Sequence, residues 1–223
     1  MKRAVIAIDG PAAAGKSTIA RKVAQQLGYT YIDTGAMYRA VTLQALKKGI
    51  SLQREEDLQQ LLQEMKLRLQ PEENMQRVFI DDEDVTEALR SSEVTNAVST
   101  VAQYSKVREI MVDKQRELAS CGGVVMDGRD IGTEVLPNAD IKIFMTASVE
   151  ERAERRYLEN QSRGIDTPLE DLQKEIAARD AQDMNREVSP LRQADDATLI
   201  DTTGQSIEEI TEKIVQMTKE LEV

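Results

Sequence analysis

The sequence predicts an α/β fold: a five-stranded, largely parallel sheet flanked by helices. Three observations carry that expectation. Five segments are short, apolar and rich in β-branched residues, the character of strands covered on both faces. They are "AVIAID" ending at Asp9, "YTYIDT" ending at Thr34, "GVVMDG" around Asp127, "IKIFMTA" ending at Ala147 and "ATLIDTT" ending at Thr203. Helical patterns lie between and after them, which indicates parallel crossovers. The 223 residues are 40% hydrophobic but only 3% aromatic, with no Trp, so the core is aliphatic.

Taken in order, "KSTIARKVAQQLG" follows the first strand as a helix that closes on Gly28. The stretch from Ser51 to Val101 breaks the alternation. There "KLRLQ", the polar turn "PEENM" and "QRVFIDDEDV" predict a short antiparallel unit, followed by the helical "SSEVTNAVSTVAQYSKVREIMVDKQREL". This reads as an insertion beside the sheet rather than a separate domain. "SVEERAERRYLENQSRG" is a helix with Ser148 as N-cap and Glu150 and Glu151 in its first turn. "TPLEDLQKEIAARDAQDMNRE" is another, with Pro168 near its start. "SIEEITEKIVQMTKELEV" ends the chain, with Ser206 as N-cap and Ile207, Ile210, Ile214, Met217 and Leu221 as its apolar face.

Composition excludes several functions. A net charge of −11 argues against general attraction to nucleic acid or an anionic membrane, so a polyanionic ligand requires locally concentrated basic residues. The absence of histidine removes Ser-His and Cys-His triads, His-ligated zinc and His general bases. Chemistry must run on Lys, Arg, Asp and Ser, with or without a metal ion. The single cysteine, Cys121, rules out an internal disulfide framework and reads as a small residue before a strand. The N-terminal apolar run stops at Asp9, short of the about 7–15 residues of an export signal. No stretch approaches the roughly 20 apolar residues of a membrane span. A cytoplasmic protein is expected.

The strongest motif is "GPAAAGKS", which fits G-x-x-x-x-G-K-[ST] between a predicted strand and a predicted helix. Gly10, Pro11, Ala12, Ala13, Ala14 and Gly15 form the loop; Lys16, Ser17 and Thr18 open the helix. Backbone N–H groups of such a loop converge on phosphate oxygens, and small side chains permit close approach. Lys16 is expected to span the β- and γ-phosphates and Ser17 to ligate Mg²⁺. An ATPase would show a strand ending in Asp-Glu, whereas Gly128 follows Asp127 here; a GTPase switch would carry Asn-Lys-x-Asp, which is absent. Both absences favour a small kinase.

Arginines stand where a kinase needs them, since phosphoryl transfer depends on positioning and charge neutralisation. Arg39 follows the second strand and Arg129 the third. Arg152, Arg155 and Arg156 share one helical face by their i, i+3, i+4 spacing, and Arg179, Asp183 and Arg186 share another. These are expected to form a positive focus over the phosphate loop. The interleaved Glu151 and Glu154 also permit an ordinary salt-bridged helix, the less favoured alternative.

"IDGPAAAGKST", "DTGAMYRA", "VVMDGRDIGTEV", "KIFMTASVEERAERR" and "ARDAQDMNREVSPL" occur in an order and spacing that resembles bacterial-type cytidylate kinase, over nearly the whole chain. The resemblance implies a P-loop kinase with a core of residues 1–50, 101–147 and 187–223, a nucleotide-binding insert of residues 51–100 and a helical lid of residues 148–186. It implies transfer of the γ-phosphoryl of MgATP to CMP or dCMP by a monomer. Matched residue by residue, Arg39, Arg129 and Arg186 would grip the acceptor phosphate, and Arg179 and Asp183 would sit by the sugar. Thr34, Ser99, Arg108 and Asp130 would line the cytosine pocket. Asp130 would accept from the cytosine amino group and Arg108 would donate to ring acceptors, so UMP is expected to be a poor substrate. The lid segment from Arg152 to Arg163 would close over ATP. Arg155 is assigned to the transferring group and Arg156 to ATP, although the resemblance leaves open which lid arginine reaches the phosphoryl. Ala13 and Ala14 depart from the Ser or Gly often found in this loop. A kinase of the same fold with another acceptor, or a regulatory protein using ATP as a conformational ligand, are the competing expectations.

Overall fold

The computed structural model describes residues 3–72, 75–162 and 164–221. All five predicted strands form: β1 (Val5–Asp9), β2 (Thr30–Asp33), β6 (Val124–Asp127), β7 (Ile141–Thr146) and β8 (Thr198–Asp201). They make one parallel sheet in the order β2-β6-β1-β7-β8. The chain leaves central β1 in one direction to reach β2 and later returns through β6 to β7 on the other side. That reversal opens a crevice at the carboxyl ends of β1 and β6, where ligands bind in open α/β sheets. A second, antiparallel sheet holds β3 (Leu67–Pro71), β4 (Gln76–Ile80) and β5 (Glu83–Asp84). Glu73 and Asn74 of the "PEENM" turn lie outside the described residues.

The helices are α1 (Lys16–Leu27), α2 (Thr34–Lys47), α3 (Glu55–Glu64), α4 (Ser92–Ala102), α5 (Ser105–Ala119), α6 (Val149–Ser162), α7 (Leu169–Asn185) and α8 (Ile207–Leu221). Alternation along β1 divides the core. Ile6 and Ile8 face α1 and α8, packing with Ile19, Val23, Ile210 and Ile214. Ala7 faces the other way, into a cluster that joins Met37 and Val41 of α2 to Leu58 of α3, Val78 of β4 and Met111 of α5. Residues 51–100 thus share a core with the sheet's second face. Each fully buried aliphatic side chain of this kind contributes about 1.5–3 kcal/mol.

The expected caps form. Gly28 adopts φ 65 and closes α1, Ser148 Oγ accepts from Glu151 N, and Ser206 and Glu209 cap α8 reciprocally. Four expectations need correction. Thr34 is not the end of a strand but the first residue of α2, which Asp33 caps through Ala36 N. The helical run after the insert is two helices, broken at Gln103–Tyr104. An unforeseen α3 precedes the antiparallel unit. On α8 the buried stripe is Ile210, Thr211, Ile214, Val215 and Thr218, whereas Ile207 and Leu221 are exposed, because the sheet covers only its inner side. Cys121 is exposed in the turn between α5 and β6.

The phosphate loop begins where β1 passes the end of β7. Gly10 has φ 144, and a Cβ there would stand 2.0 Å from the Met145 carbonyl oxygen. Gly10→Ala is expected to destabilise the fold by at least about 1–3 kcal/mol, the cost of backbone strain, before any clash is relieved. Urea unfolding measures this; an unchanged midpoint would show that the loop entrance yields freely.

Candidate functional site

One cavity of about 1020 Å³ opens at the crevice. At one end lies the phosphate loop. Gly15 has φ 86 at the N-terminus of α1, and Ala13 takes the left-handed region at φ 60. Ala12 through Thr18 line the cavity, while Gly10 and Pro11 form the loop's entrance and do not. Lys16 is 5% exposed, and its ammonium donates to Pro11 O at 2.6 Å. Ser17 Oγ donates to Asp127 Oδ2 at 2.7 Å, and Tyr31 OH donates to Asp127 Oδ1 at 3.1 Å. Asp127 was absent from the residues expected at the site. Its signal was present: an apolar strand ending in a carboxylate, which the sheet sets beside β1.

The cavity's other end gathers residues from β2, α2, α4, α5, the β6 terminus and α7. Asp33, besides capping α2, pairs with Arg39 at 2.8 Å. Arg129 Nε donates to Asp183 Oδ2 at 2.9 Å. Asp130 is buried between Arg108, which also donates to Ala102 O, and Arg186, whose Nη2 stands 3.3 Å from Asp130 Oδ1. Arg186 therefore joins the Arg108–Asp130 pair. It also lies beyond α7 in extended backbone, so it does not continue the face of Arg179 and Asp183. Thr34 Oγ1 donates to Asp127 O at 2.7 Å, which leaves its oxygen free to accept rather than its proton to donate. Ser99 and Arg179 also line the cavity.

The arginine face of α6 is not the uniform focus that its spacing suggested. Arg155 and Arg156 line the cavity, whereas Arg152 does not. Arg155 is held by Glu151 and by Thr202, with Nη1 2.9 Å from Thr202 Oγ1. Arg156 pairs with Glu159 at 3.2 Å. Arg152 turns inward, 4% exposed, because backbone carbonyls and Asp180 offer it partners there. Arg163 lies outside the described residues.

A sequence profile of the family described as Cytidylate kinase matches residues 6–220. The chain belongs to the cytidylate kinase family. Among curated relatives, the cytidylate kinase of Bacillus cereus is 58% identical over 216 residues, covering 97% of this chain and 96% of that one. The cytidylate kinase of Bacillus thuringiensis is 59% identical over 214 residues, covering 96% and 95%. A solved structure of an uncharacterized protein from Eubacterium ventriosum has a TM-score of 0.53 at 12% identity, covering 98% of this chain and 99% of that one, a likeness of fold alone. Membership of the cytidylate kinase family makes the chain an enzyme, a nucleoside monophosphate kinase. The resemblance read from the five motif segments is thereby borne out. No helix among the described residues is long and apolar enough to cross a membrane.

In this cytidylate kinase family member, burial governs the charges under the loop. Burial raises the Asp9 carboxyl to about 7, although it accepts from Ile131 N and Gly132 N at 2.8 and 2.7 Å. Burial, then repulsion from Asp33, raises Asp127 to about 6. Burial and Arg129 lower the Lys16 ammonium to about 7, against the attraction of Asp127 and Asp9. Burial and Arg129 likewise lower Arg179 to about 10, which leaves it cationic at neutral pH.

The signs give a stability profile. A carboxyl raised by folding keeps its proton longer in the folded chain, so stability falls as pH rises from 3.8 to about 7 through Asp9. A lowered ammonium acts oppositely, so stability rises from about 7 towards 10.5 through Lys16. Their sum has a minimum near neutrality in protein without added nucleotide. Asp9→Asn is expected to remove a slope of at most about 1.4 kcal/mol per pH unit between pH 4 and 7. Urea unfolding across that window checks this, and a curve parallel to wild type would exclude Asp9 as the titrating group.

Proposed function

We propose that this cavity transfers the γ-phosphoryl group of ATP to CMP and dCMP, giving CDP and dCDP. The observation that carries the reading is the joining, in one cavity, of the phosphate loop to the buried Arg108–Asp130–Arg186 cluster through Arg39, Arg129 and Arg179. The loop's backbone N–H groups and Lys16 hold the donor phosphates once the ammonium leaves Pro11 O. An acceptor phosphate oxygen bonds to the γ-phosphorus as the bridging bond to the β-phosphate breaks, leaving ADP. Arg129, with Arg39 beside it, offsets the charge on the acceptor phosphate and the moving group. Arg155 and Arg156 approach from the lid side, Arg155 at the rim of Gly15.

The residues present fit a magnesium ion. Ser17 Oγ and Asp127 Oδ2 are two hard oxygen donors 2.7 Å apart at the start of α1. Among the described residues no cluster of three or more His, Cys, Asp or Glu side chains could enclose a metal. That suits a cation that keeps water and takes phosphate oxygens as further ligands. When bound, it supplies charge neutralisation to the donor phosphates.

Acceptor choice follows from Asp130. Arg108 and Arg186 orient its carboxylate, which retains capacity for a further donor. The cytosine amino group supplies one, with Arg108 facing the ring acceptors and Ser99 at the wall; uracil turns a carbonyl towards the carboxylate. Arg179 and Asp183 face the sugar. We assign residues 51–100 to the acceptor side and 148–186 to the lid. The proposal includes action as a monomer. The net charge of −11 supports a small-molecule partner rather than nucleic acid or membrane, in the cytoplasm.

The test is ADP release with MgATP and CMP, dCMP, UMP, AMP, GMP or no acceptor. Turnover with CMP and dCMP far above UMP is expected; equal slow release throughout would refute the reading. Lys16→Ala should lower kcat at least about 100-fold with the fold retained by circular dichroism. Asp130→Asn, whose amide can donate to a uracil carbonyl, should lower the CMP:UMP ratio of kcat/KM about tenfold or more. A ratio left unchanged would exclude Asp130 as the base reader.

A further inference from the structure

Arg152 has no part in the nucleotide contacts above and does not line the cavity, yet it joins the phosphate loop to α7 from behind the cavity wall. Its Nε donates to Ala147 O, beyond the end of β7, at 3.0 Å. Its Nη1 donates to Ala12 O in the phosphate loop, also at 3.0 Å. Its Nη2 pairs with Asp180 Oδ2 on α7 at 2.7 Å, with both side chains buried. The guanidinium thus engages three elements that are far apart in sequence, and its rigid fork fixes the angles among them.

Both ends of that fork matter to the site. Ala12 and Ala13 belong to the loop that holds the donor, and the Ala13 methyl packs against Ala153, Leu172 and Ile176 of α6 and α7. Asp180 stands between Arg179 and Asp183 on the helix that faces the acceptor. Asp183 holds Arg129 at 2.9 Å, and the Asp180 charge also acts on Arg129. A displacement of α7 therefore reaches Ala12 through one side chain, and a displacement of the loop reaches Arg179 and Asp183 by the same route.

We propose that Arg152 is a positioning residue that couples the donor loop to the acceptor helix, so that a nucleotide held at either end favours binding at the other. The first ligand orders one side of the fork, and the second then meets a partner already ordered. The proposal rests on the nucleotide reading of the cavity. It assigns Arg152 no contact with phosphate.

The test is the affinity of the full chain for CMP, by calorimetry, with and without a magnesium complex of a non-hydrolysable ATP analogue. Wild type is expected to bind CMP at least about fivefold tighter with the analogue present. Arg152→Lys keeps the charge and loses the fork; Asp180→Asn keeps the shape and loses the charge. Each should bring the ratio close to one, and the double variant should add little. A wild-type ratio of one overturns the proposal. So does a wild-type ratio in both variants, even where thermal stability or single-ligand affinity drops, because that pattern marks a purely structural pillar. If Arg152→Lys fails to fold, the isosteric Asp180→Asn decides alone. ADP release by the same wild-type preparation separates the two readings. Turnover with CMP but no coupling rejects only the role of Arg152, whereas no turnover rejects the nucleotide reading and the coupling with it.

Discussion

Guanidinium groups from α2, α5, α6 and α7 face a single cavity together with the Lys16 ammonium, and at that density like charges repel. The arrangement persists because carboxylates are interposed: Asp33 for Arg39, Asp183 for Arg129, Asp130 between Arg108 and Arg186, Glu151 for Arg155 and Glu159 for Arg156. These ions lie mostly out of water, so each pair must offset a desolvation cost with close geometry. Their contribution is placement more than stability. The same interleaving explains how a chain of net charge −11 concentrates cations where a polyphosphate would need them.

A second link ties the loop to the segment that carries Asp130. Asp9 ends β1 just before the loop, and its carboxylate receives two N–H groups from the π-helical turn Ile131–Val135. Asp130, which immediately precedes that turn, is thus set from below by the strand that launches the phosphate loop. The loop and the Asp130 segment share a foundation at β1, and the Arg152 contacts add a brace between the loop and α7.

The parts legible in the sequence were those encoded by neighbouring residues. Near-continuous apolar runs revealed the five strands, and the spacing of Gly10, Gly15, Lys16 and Ser17 revealed the loop. Helix α2 was hidden because it is buried almost all round, from Ala36 and Met37 to Leu43 and Ala45, which erases the amphipathic period. The break between α4 and α5 was hidden because neither Gly nor Pro marks Gln103–Tyr104. Helix α3 carried a readable stripe in Leu58, Leu61 and Leu62, but its glutamines and acids resembled a polar connection. In the site, spacing told which arginines share a helical face, not which way that face looks, so Arg152 was grouped with Arg155 and Arg156. The pairing of Ser17 with Asp127 spans 110 positions, and only the strand order brings it about.

Cys121 lies in the turn that feeds the amino end of β6, whereas Asp127, Gly128 and Arg129 deliver their groups at its carboxyl end. The sheet itself separates the only thiol of the chain from the cavity. A maleimide tether at that sulfur would therefore present every molecule to a surface in one orientation, with its mouth towards solution. The natural chain already carries a unique anchor for single-molecule work, with no cysteine to add or remove.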